Sequence, residues 1–391
     1  MQRKRQTNVL IHSRKWKRPA VVSIIVPDNR ATADDVAIAA RLLAAYHRSR
    51  RKEPGQAGDD SNLWSTIWRQ QSEFRAILIQ DDPVALAAYL CNFSRHDAGR
   101  GIVQGDREYD RIVRDRSYRA FLALMAKDKL VSLAEALAAL PAENPEQGPV
   151  GLSLYSDPDA LVFRDSRRLR VSVSPPDIDG RLLKLRTSHG LFGERDLNAI
   201  YTALLTERMS CRLGVTGPAR ICEIGAGTGR VAYWSMRFGA KSYTIIDLPQ
   251  VNVLQGYYLL KGLGADRVAL YDEAWTHSAE RMVRILPAHA TWERRGDEYD
   301  IVLNQDSFPE MDSDTVEDYL RWIGATSARG LLSINHESKP TYGPALVQVS
   351  VPEVIEHLGG FELLDRYPYW LRKGYVVELY RAERDHARTV G

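Results

Sequence analysis

Hydrophobic residues recur three or four positions apart through the first third of the chain, which is the spacing of amphipathic helices. Asp82 and Pro83 have the residue types of an N-cap and a first helical position. Ser132 and Glu135 fit a capping box in front of another apolar stretch. The predicted helices cover residues 33–48, 63–74, 83–90 and 107–125.

The pattern changes twice further along. Three prolines and a glycine end the helical pattern in residues 141–150, and residues 151–186 look extended, with short apolar runs at 161–163 and 182–185. From about residue 196, apolar strand-like runs alternate with helical stretches, which predicts a parallel sheet covered on both faces. No helix separates the last two runs, FELLDRY and YVVELYRA, so we expect the last strand to return antiparallel.

These changes predict a chain of four parts. A tail (1–18) precedes a mainly helical N-terminal domain (19–150), then a short β connection (151–195) and an α/β domain (196–391).

Charge and cysteine usage narrow the function classes. The net charge is +3, but the tail carries seven Lys or Arg and no acid, so the remainder has 46 basic against 50 acidic residues, or −4. An acidic body argues against a nucleic-acid partner. None of the three cysteines forms a CxxC pair, which favours a reducing, cytoplasmic setting. The early apolar run at 21–26 is too short for a signal-peptide core or a membrane span.

The sharpest motif is ICEIGAGTGR, in which Glu223 ends a predicted strand and Gly225, Gly227 and Gly229 turn the chain into a helix. Glycines suit a positive φ and a close approach of ligand to backbone. The GxGxG spacing and the acid before it differ from the usual dinucleotide fingerprint, and a carboxylate there suits a ligand with a cationic amino group. A tight turn without a ligand is the alternative.

A second carboxylate, Asp247, ends the next predicted strand eighteen residues after Gly229. An acid at that strand tip can bind both hydroxyls of a ribose, although it could also cap the helix that begins after Leu248. Composition and spacing together reach a nucleotide site of the S-adenosylmethionine (SAM) type.

The motifs resemble a class I SAM-dependent methyltransferase with its Rossmann-like sheet. DLPQVNVLQGYYL (247–259), NQDSFPEM (304–311) and SINHES (333–338) are similar to the bacterial sugar O-methyltransferase family. The resemblance implies SAM as cofactor and transfer of its methyl group to a hydroxyl, with a sugar on a natural product or polysaccharide as acceptor. The cofactor-binding residues that it implies are Glu223, Gly225, Gly227, Gly229, Asp247, Leu248, Asn304 and, at the adenine, Asp272 or Glu273.

A sugar hydroxyl is a weak nucleophile that gains from a general base, which should lie at the carboxyl ends of the later strands. Glu310 and Asp306 follow strand YDIVLN, and His336 follows strand GLLSIN. Helix capping is the alternative for the two acids, and surface hydrogen bonding for the histidine. The acids could also bind a divalent metal, but their spacing is not diagnostic of one.

Other residues have weaker signals. His189 precedes the first helix of the α/β domain and could lie at the site edge, and Tyr257 and Tyr258 could face the acceptor or simply pack. Trp64, Trp68 and Phe74 favour core or a homodimer contact over a ligand site. Two other functions stay open: methylation of a non-sugar small molecule or peptide at O or N, and a catalytically inactive SAM-binding interaction protein. Neither nucleic acid nor a membrane is expected as a partner.

Overall fold

The computed structural model of the protein describes eight stretches of the chain, residues 29–52, 63–103, 105–142, 157–180, 185–275, 281–293, 298–339 and 348–383. The predicted basic tail (1–18), the apolar run at 21–26 and most of the Pro-rich segment (141–150) lie outside the described residues.

Helices dominate the first part. The described helices are α1 Ala33–Lys52, α2 Leu63–Gln70, α3 Ser72–Gln80, α4 Pro83–Leu90, α5 Gly105–Arg114, α6 Arg116–Ala136, α7 Pro158–Leu169, α8 Glu194–Arg212, α9 Arg230–Arg237, α10 Pro249–Leu263, α11 Ala290–Glu293, α12 Ser313–Ala325 and α13 Val351–Leu358. None of them is both long and apolar enough to cross a membrane.

The strands form a small hairpin and one large sheet. They are β1 Leu185–Thr187, β2 Gly190–Phe192, β3 Arg220–Ile224, β4 Ser242–Asp247, β5 Val268–Ala269, β6 Met282–Pro287, β7 Ile301–Gln305, β8 Gly330–Asn335, β9 Phe361–Pro368 and β10 Val376–Ala382. The first two pair with each other, and the other eight form a sheet in the order β5-β6-β4-β3-β7-β8-β10-β9.

The sheet confirms the predicted fold class. Its strands run parallel from β5 to β8, and β10 lies antiparallel to both β8 and β9. The chain leaves β3 toward β4 on one side and later returns to β7 on the other. Loops therefore diverge at the carboxyl end of β3, which is where open α/β sheets bind their ligands.

Alternate residues of the central strands face two different cores. In β3, Ile221 packs into a core that also contains residues of α1, α4, α8 and α10, whereas Cys222 and Ile224 pack into a second core with α12 and α13. Burial on both faces explains why these strands read as nearly continuous apolar runs. Glu223 shares the face of Ile221, so the N-terminal helices lie on its side of the sheet.

The predicted β connection is wrong at residues 161–163, which belong to helix α7. Asp157 caps that helix by accepting a hydrogen bond from the Asp159 amide, and Pro158 occupies its first turn. This is the same Asp-Pro start that predicts α4 correctly, where the Asp82 carboxylate accepts from the Val84 amide. Of the connection, the described β structure is the hairpin of β1 and β2.

Three other boundaries differ from prediction. The helix predicted at 63–74 is two helices that meet at Gln71, and Asp115 likewise separates α5 from α6 by capping the latter. The capping box at Ser132 is wrong, because α6 continues through that position to Ala136. Strand β6 is absent from the predicted pattern, because Arg284 interrupts its apolar run MVRILP.

Candidate functional site

A cavity of about 610 Å³ lies at the carboxyl ends of β3, β4 and β7. Its volume is in the range of small-molecule sites. Among the residues that line it are Glu223, Gly225, Gly227, Asp247, Leu248, Asp306 and Glu310. The structure thus brings together seven of the eleven residues selected from the sequence, from three separate segments.

The glycine-rich loop after β3 forms one wall of the cavity. Gly225, Gly227 and Gly229 all have positive φ, at 73°, 56° and 76°. A Cβ at Gly225 would collide with the side chain of Ser307, so this position also requires glycine for space. Gly229 caps α9 and faces Leu259 instead of the cavity.

Glu223 is a buried acid at the base of the cavity. Its side chain accepts a hydrogen bond from the Tyr243 hydroxyl (2.8 Å to Oε2), and the residue is only 2% exposed. Burial raises the pKa of Glu223 to about 8. Among the described residues no cation pairs with it, so this carboxyl is mostly protonated at neutral pH, and a cationic ligand would gain a strong partner there.

Asp247 is held at the tip of β4 by several donors. Its Oδ1 accepts from the Leu248 amide (2.8 Å) and its Oδ2 from the side-chain amide of Gln255 (2.6 Å). Burial raises the pKa of Asp247 to about 6, against the lowering effect of these hydrogen bonds. The carboxylate is therefore oriented before any ligand arrives, at the edge of the cavity that Leu248 and Pro249 also line.

Two acids lie on the opposite side, after β7. Asp306 has φ of 68°, an uncommon conformation for a non-glycine residue, and both of its carboxylate oxygens accept from Nη1 of Arg372 (2.9 and 2.8 Å). Glu310 ends a short 3₁₀ turn and accepts from the indole N–H of Trp64 (2.8 Å). Burial raises the pKa of Glu310 to about 7.

Two further predicted residues, His336 and Asn304, lie outside the cavity lining. His336 packs edge-on against Tyr375 (ring centroids 5.6 Å apart), which itself lines the cavity. Asn304 is fully buried and donates to the Ile224 carbonyl (3.1 Å) and the Ser307 hydroxyl (2.6 Å), which joins the ends of β3 and β7. Asn304 thus holds the cavity loops together.

The adenine candidates do not reach the cavity either. Asp272 is half-exposed beside Arg48 and Lys52, and Glu273 forms an ion pair with Arg41. The reason is the strand order, because β5 lies at the sheet edge and β6 is the neighbour of β4. Between β6 and β7, the cavity is lined by Ala288, His289 and Trp292.

Some of the remaining candidates pack in the interior, and others line the cavity. His189 lies in the turn between β1 and β2, away from the cavity lining. Tyr257 is buried and donates to Asp35 (2.8 Å), while the buried Tyr258 ring lies under the Arg230 guanidinium. Phe74 is also core, and Trp64 and Trp68 pack against that core while they also line the cavity.

Sequence reasoning missed two arginines of the wall. Arg195 comes from the first turn of α8, and Arg372 from the turn that links β9 to β10. Neither belongs to a motif, and an isolated arginine in a charged chain has no distinguishing signal. Within the part of the chain that the structure describes, no three His, Cys, Asp or Glu side chains are grouped to hold a metal ion.

The chain matches no model of a protein family and no curated protein. Solved structures do match about half of it. Magnesium protoporphyrin IX methyltransferase from Synechocystis PCC 6803 shares 11% identity over 48% of this chain and 82% of its own, with a TM-score of 0.34. 1,6-Didemethyltoxoflavin-N1-methyltransferase from Burkholderia thailandensis shares 20% identity over 47% of this chain and 78% of its own, with a TM-score of 0.31. The cyclase SpnF shares 17% identity over 46% of this chain and 81% of its own, with a TM-score of 0.35.

Proposed function

We propose that this protein is a SAM-dependent O-methyltransferase whose acceptor is a hydroxyl compound, with a sugar as the favoured class. One observation carries the proposal: Glu223, Gly225, Gly227 and Asp247 line the same cavity as Glu310, an acid whose pKa is about 7. A cofactor-type loop and a candidate general base therefore share one cavity.

The residues present fit SAM on structural grounds. Gly225 and Gly227 leave the backbone bare on the cavity wall, and the buried Glu223 carboxyl has Tyr243 as its described hydrogen-bond donor. A ligand ammonium would compensate the charge of that carboxylate. Asp247, held at the tip of β4, suits the two hydroxyls of a ribose. Asp272 and Asn304 have no such position and are not part of this proposal.

SAM, when bound, supplies a methyl group on a sulfonium sulfur, which leaves as a neutral thioether when the acceptor oxygen bonds to that carbon. Glu310 takes the proton of the acceptor hydroxyl, since a pKa near 7 leaves a useful fraction of carboxylate at neutral pH. Asp306 is less suited because Arg372 engages both of its oxygens. His336 is separated from the cavity by Tyr375.

The sugar class is supported by the resemblance of the motifs and by the aromatic walls. Trp64, Trp68, Trp292 and Tyr375 all line the cavity, and sugar rings pack well on aromatic faces. A catalytically inactive SAM-binding protein would lack a reason for a buried acid of raised pKa opposite the cofactor loop, which favours the enzyme.

Calorimetric titration of the full chain with SAM tests the cofactor site. We expect Glu223→Gln and Asp247→Asn each to weaken binding by about 10- to 100-fold, since each removes a charge-assisted contact worth about 1.5–3 kcal/mol. Affinity of the unaltered protein should rise from pH 6 to pH 8 as Glu223 loses its proton more easily. Asp272→Asn, which alters an acid outside the cavity, is the matched control. Unchanged binding in both site variants would refute the placement.

A further inference from the structure

Two guanidinium groups share one carboxylate on the wall of the cavity. Nη1 of Arg372 contacts both oxygens of Asp306, at 2.9 and 2.8 Å, while Nη1 of Arg195 lies 4.0 Å from Oδ2 of the same residue. The exposed fractions of the three side chains are 31%, 43% and 29%, so all three reach the cavity space. One negative charge thus faces two positive charges.

These two arginines have more N–H donors than the described residues around them have acceptors. Within the described residues, no group accepts a hydrogen bond from Arg195, and Arg372 uses Nη1 alone. The Arg372 guanidinium is nevertheless fixed in place, because it lies over the Tyr375 ring at 3.7 Å from the centroid. A planar fork held by stacking is pre-organised for a carboxylate or phosphate group.

Neighbouring charges do not cancel this excess. Glu194, next to Arg195, is occupied by Lys129. Asp312 keeps its charge but is oriented toward the Thr315 amide and hydroxyl at the start of α12, and Arg230 is paired with Asp179 and Asp196. Glu310, the remaining acid near the two arginines, has a pKa of about 7 and is therefore partly neutral. The group formed by Asp306, Arg195 and Arg372 therefore carries one more positive than negative charge.

We infer that Arg195 and Arg372 bind an anionic group of the acceptor, so that the substrate is a hydroxyl compound bearing a carboxylate or phosphate, such as a uronic acid or a sugar phosphate. This inference rests on the proposed function, since it names the acceptor class of the same cavity. An anion there would lie beside Glu310 and make that carboxyl a stronger base. The cofactor's own carboxylate is the competing source of the same chemistry.

The variant that separates these sources is Arg195→Gln, which breaks no described hydrogen bond and should leave the fold intact. Arg208→Gln is the matched control, because Arg208 lies on an exposed side of the same helix, α8. The protein is first titrated with S-adenosylhomocysteine, and the loaded protein is then titrated with inorganic phosphate and with D-glucuronate. NMR signals of the arginine side chains report where the anion binds.

We expect phosphate at millimolar concentration to shift the Arg195 and Arg372 signals of the loaded protein. Arg195→Gln should weaken that binding at least about tenfold while S-adenosylhomocysteine affinity stays within about twofold. No shift in the unaltered protein, or equal binding in the variant, would overturn the inference. A parallel loss of S-adenosylhomocysteine affinity would also overturn it and assign the anion to the cofactor. Failure of the unaltered protein to bind S-adenosylhomocysteine would instead refute the proposed function.

A turnover assay adds an independent measurement. Matched acceptors that differ in the anion alone, glucuronate against glucose and glucose 6-phosphate against glucose, are incubated with SAM. The anionic members should be methylated at least about tenfold faster, and Arg195→Lys, which keeps the charge, should retain more of that preference than Arg195→Gln. Faster methylation of glucose than of both anionic compounds would contradict an anionic acceptor class.

Discussion

At the scale of single residues, the pKa of Glu310 depends on the indole of Trp64, which comes from a helix almost 250 positions earlier in the chain. An indole N–H can donate but not accept, so it stabilises the deprotonated carboxylate and lowers its pKa. Burial acts in the opposite direction and is the larger effect. The balance leaves the pKa of Glu310 near 7, where a base works best at neutral pH.

Trp64→Phe tests this balance because it keeps an aromatic ring and removes the donor. The pKa of Glu310 should rise above about 7, by up to about one unit, as the loss of a hydrogen bond to a charged group implies. The acidic limb of the pH–rate profile should move to higher pH with it. A ¹³C NMR titration of the Glu310 carboxyl gives the same pKa without an acceptor. Trp68→Phe is the control, and a pKa unchanged by Trp64→Phe would contradict the coupling.

The residues that the sequence predicts well are those whose position depends on local chain geometry. Glu223 lies one residue before the end of β3 and Asp247 ends β4. Parallel neighbouring strands end at the same edge, so their meeting in one cavity follows from the pattern. Trp64, Arg195 and Arg372 reach the cavity through long-range packing of separate segments. No local spacing encodes such a meeting, which explains why these three residues were not predicted to line the cavity.

At the scale of elements, helix α1 is joined to α10 through one buried acid. Asp35 accepts from the Thr32 amide and hydroxyl at the start of α1 (2.8 and 2.6 Å). It also accepts from the Tyr257 hydroxyl and lies 3.0 Å from Nζ of Lys261, both on α10. These donors outweigh burial and lower the pKa of Asp35 to about 2. Asp35 therefore both caps the start of α1 and joins α1 to α10.

Asp35→Asn should lower the free energy of unfolding by about 1–3 kcal/mol at pH 7, because it removes the charge that four donors share. A lowered pKa in the folded state stabilises the protein fully above the unfolded value of about 3.9 and is lost as the pH falls through about 2. The difference between the two proteins should therefore shrink over that range. Urea unfolding at several pH values measures it.

The control for Asp35→Asn is its neighbour Asp34, an exposed acid that also pairs with Lys261, at 3.3 Å. Asp34→Asn should change the free energy of unfolding by less than about 1 kcal/mol, since exposed ion pairs contribute little. Equal effects of the two substitutions would show that burial at the α1–α10 contact has no special importance.

Strand β6 was not predicted because one charged residue interrupts its apolar run. Arg284 lies in the middle of the buried strand β6, where it contacts the Tyr299 hydroxyl (3.3 Å) and the face of Trp275. These partners are supplied by tertiary structure, so the isolated run looks too polar to be a central strand. This error affected the predicted site. Because β6 was not predicted, the predicted adenine contact was assigned to residues after the edge strand β5.

At the scale of the whole molecule, the N-terminal helices and the sheet share a core. One continuous cluster of buried side chains runs from Ile38 in α1 to Leu379 in β10. Gly256 of α10 lies so close to Leu42 of α1 that a Cβ there would collide with it. The division of the chain into a helical and an α/β domain stays a prediction. Because the two parts share a core, whether they unfold together or separately can be tested.

Leu42→Ala addresses this question directly, because Leu42 is 2% exposed and packs between α1 and α10. The substitution should lower the free energy of unfolding by about 2–5 kcal/mol. If the helices and the sheet unfold as one unit, hydrogen exchange at amides of α1 and of β3 should accelerate together. Ile79→Ala, at a position 72% exposed, is the control and should change stability by less than about 0.5 kcal/mol. Faster exchange in α1 with unchanged exchange in β3 would show instead that the helical part unfolds independently.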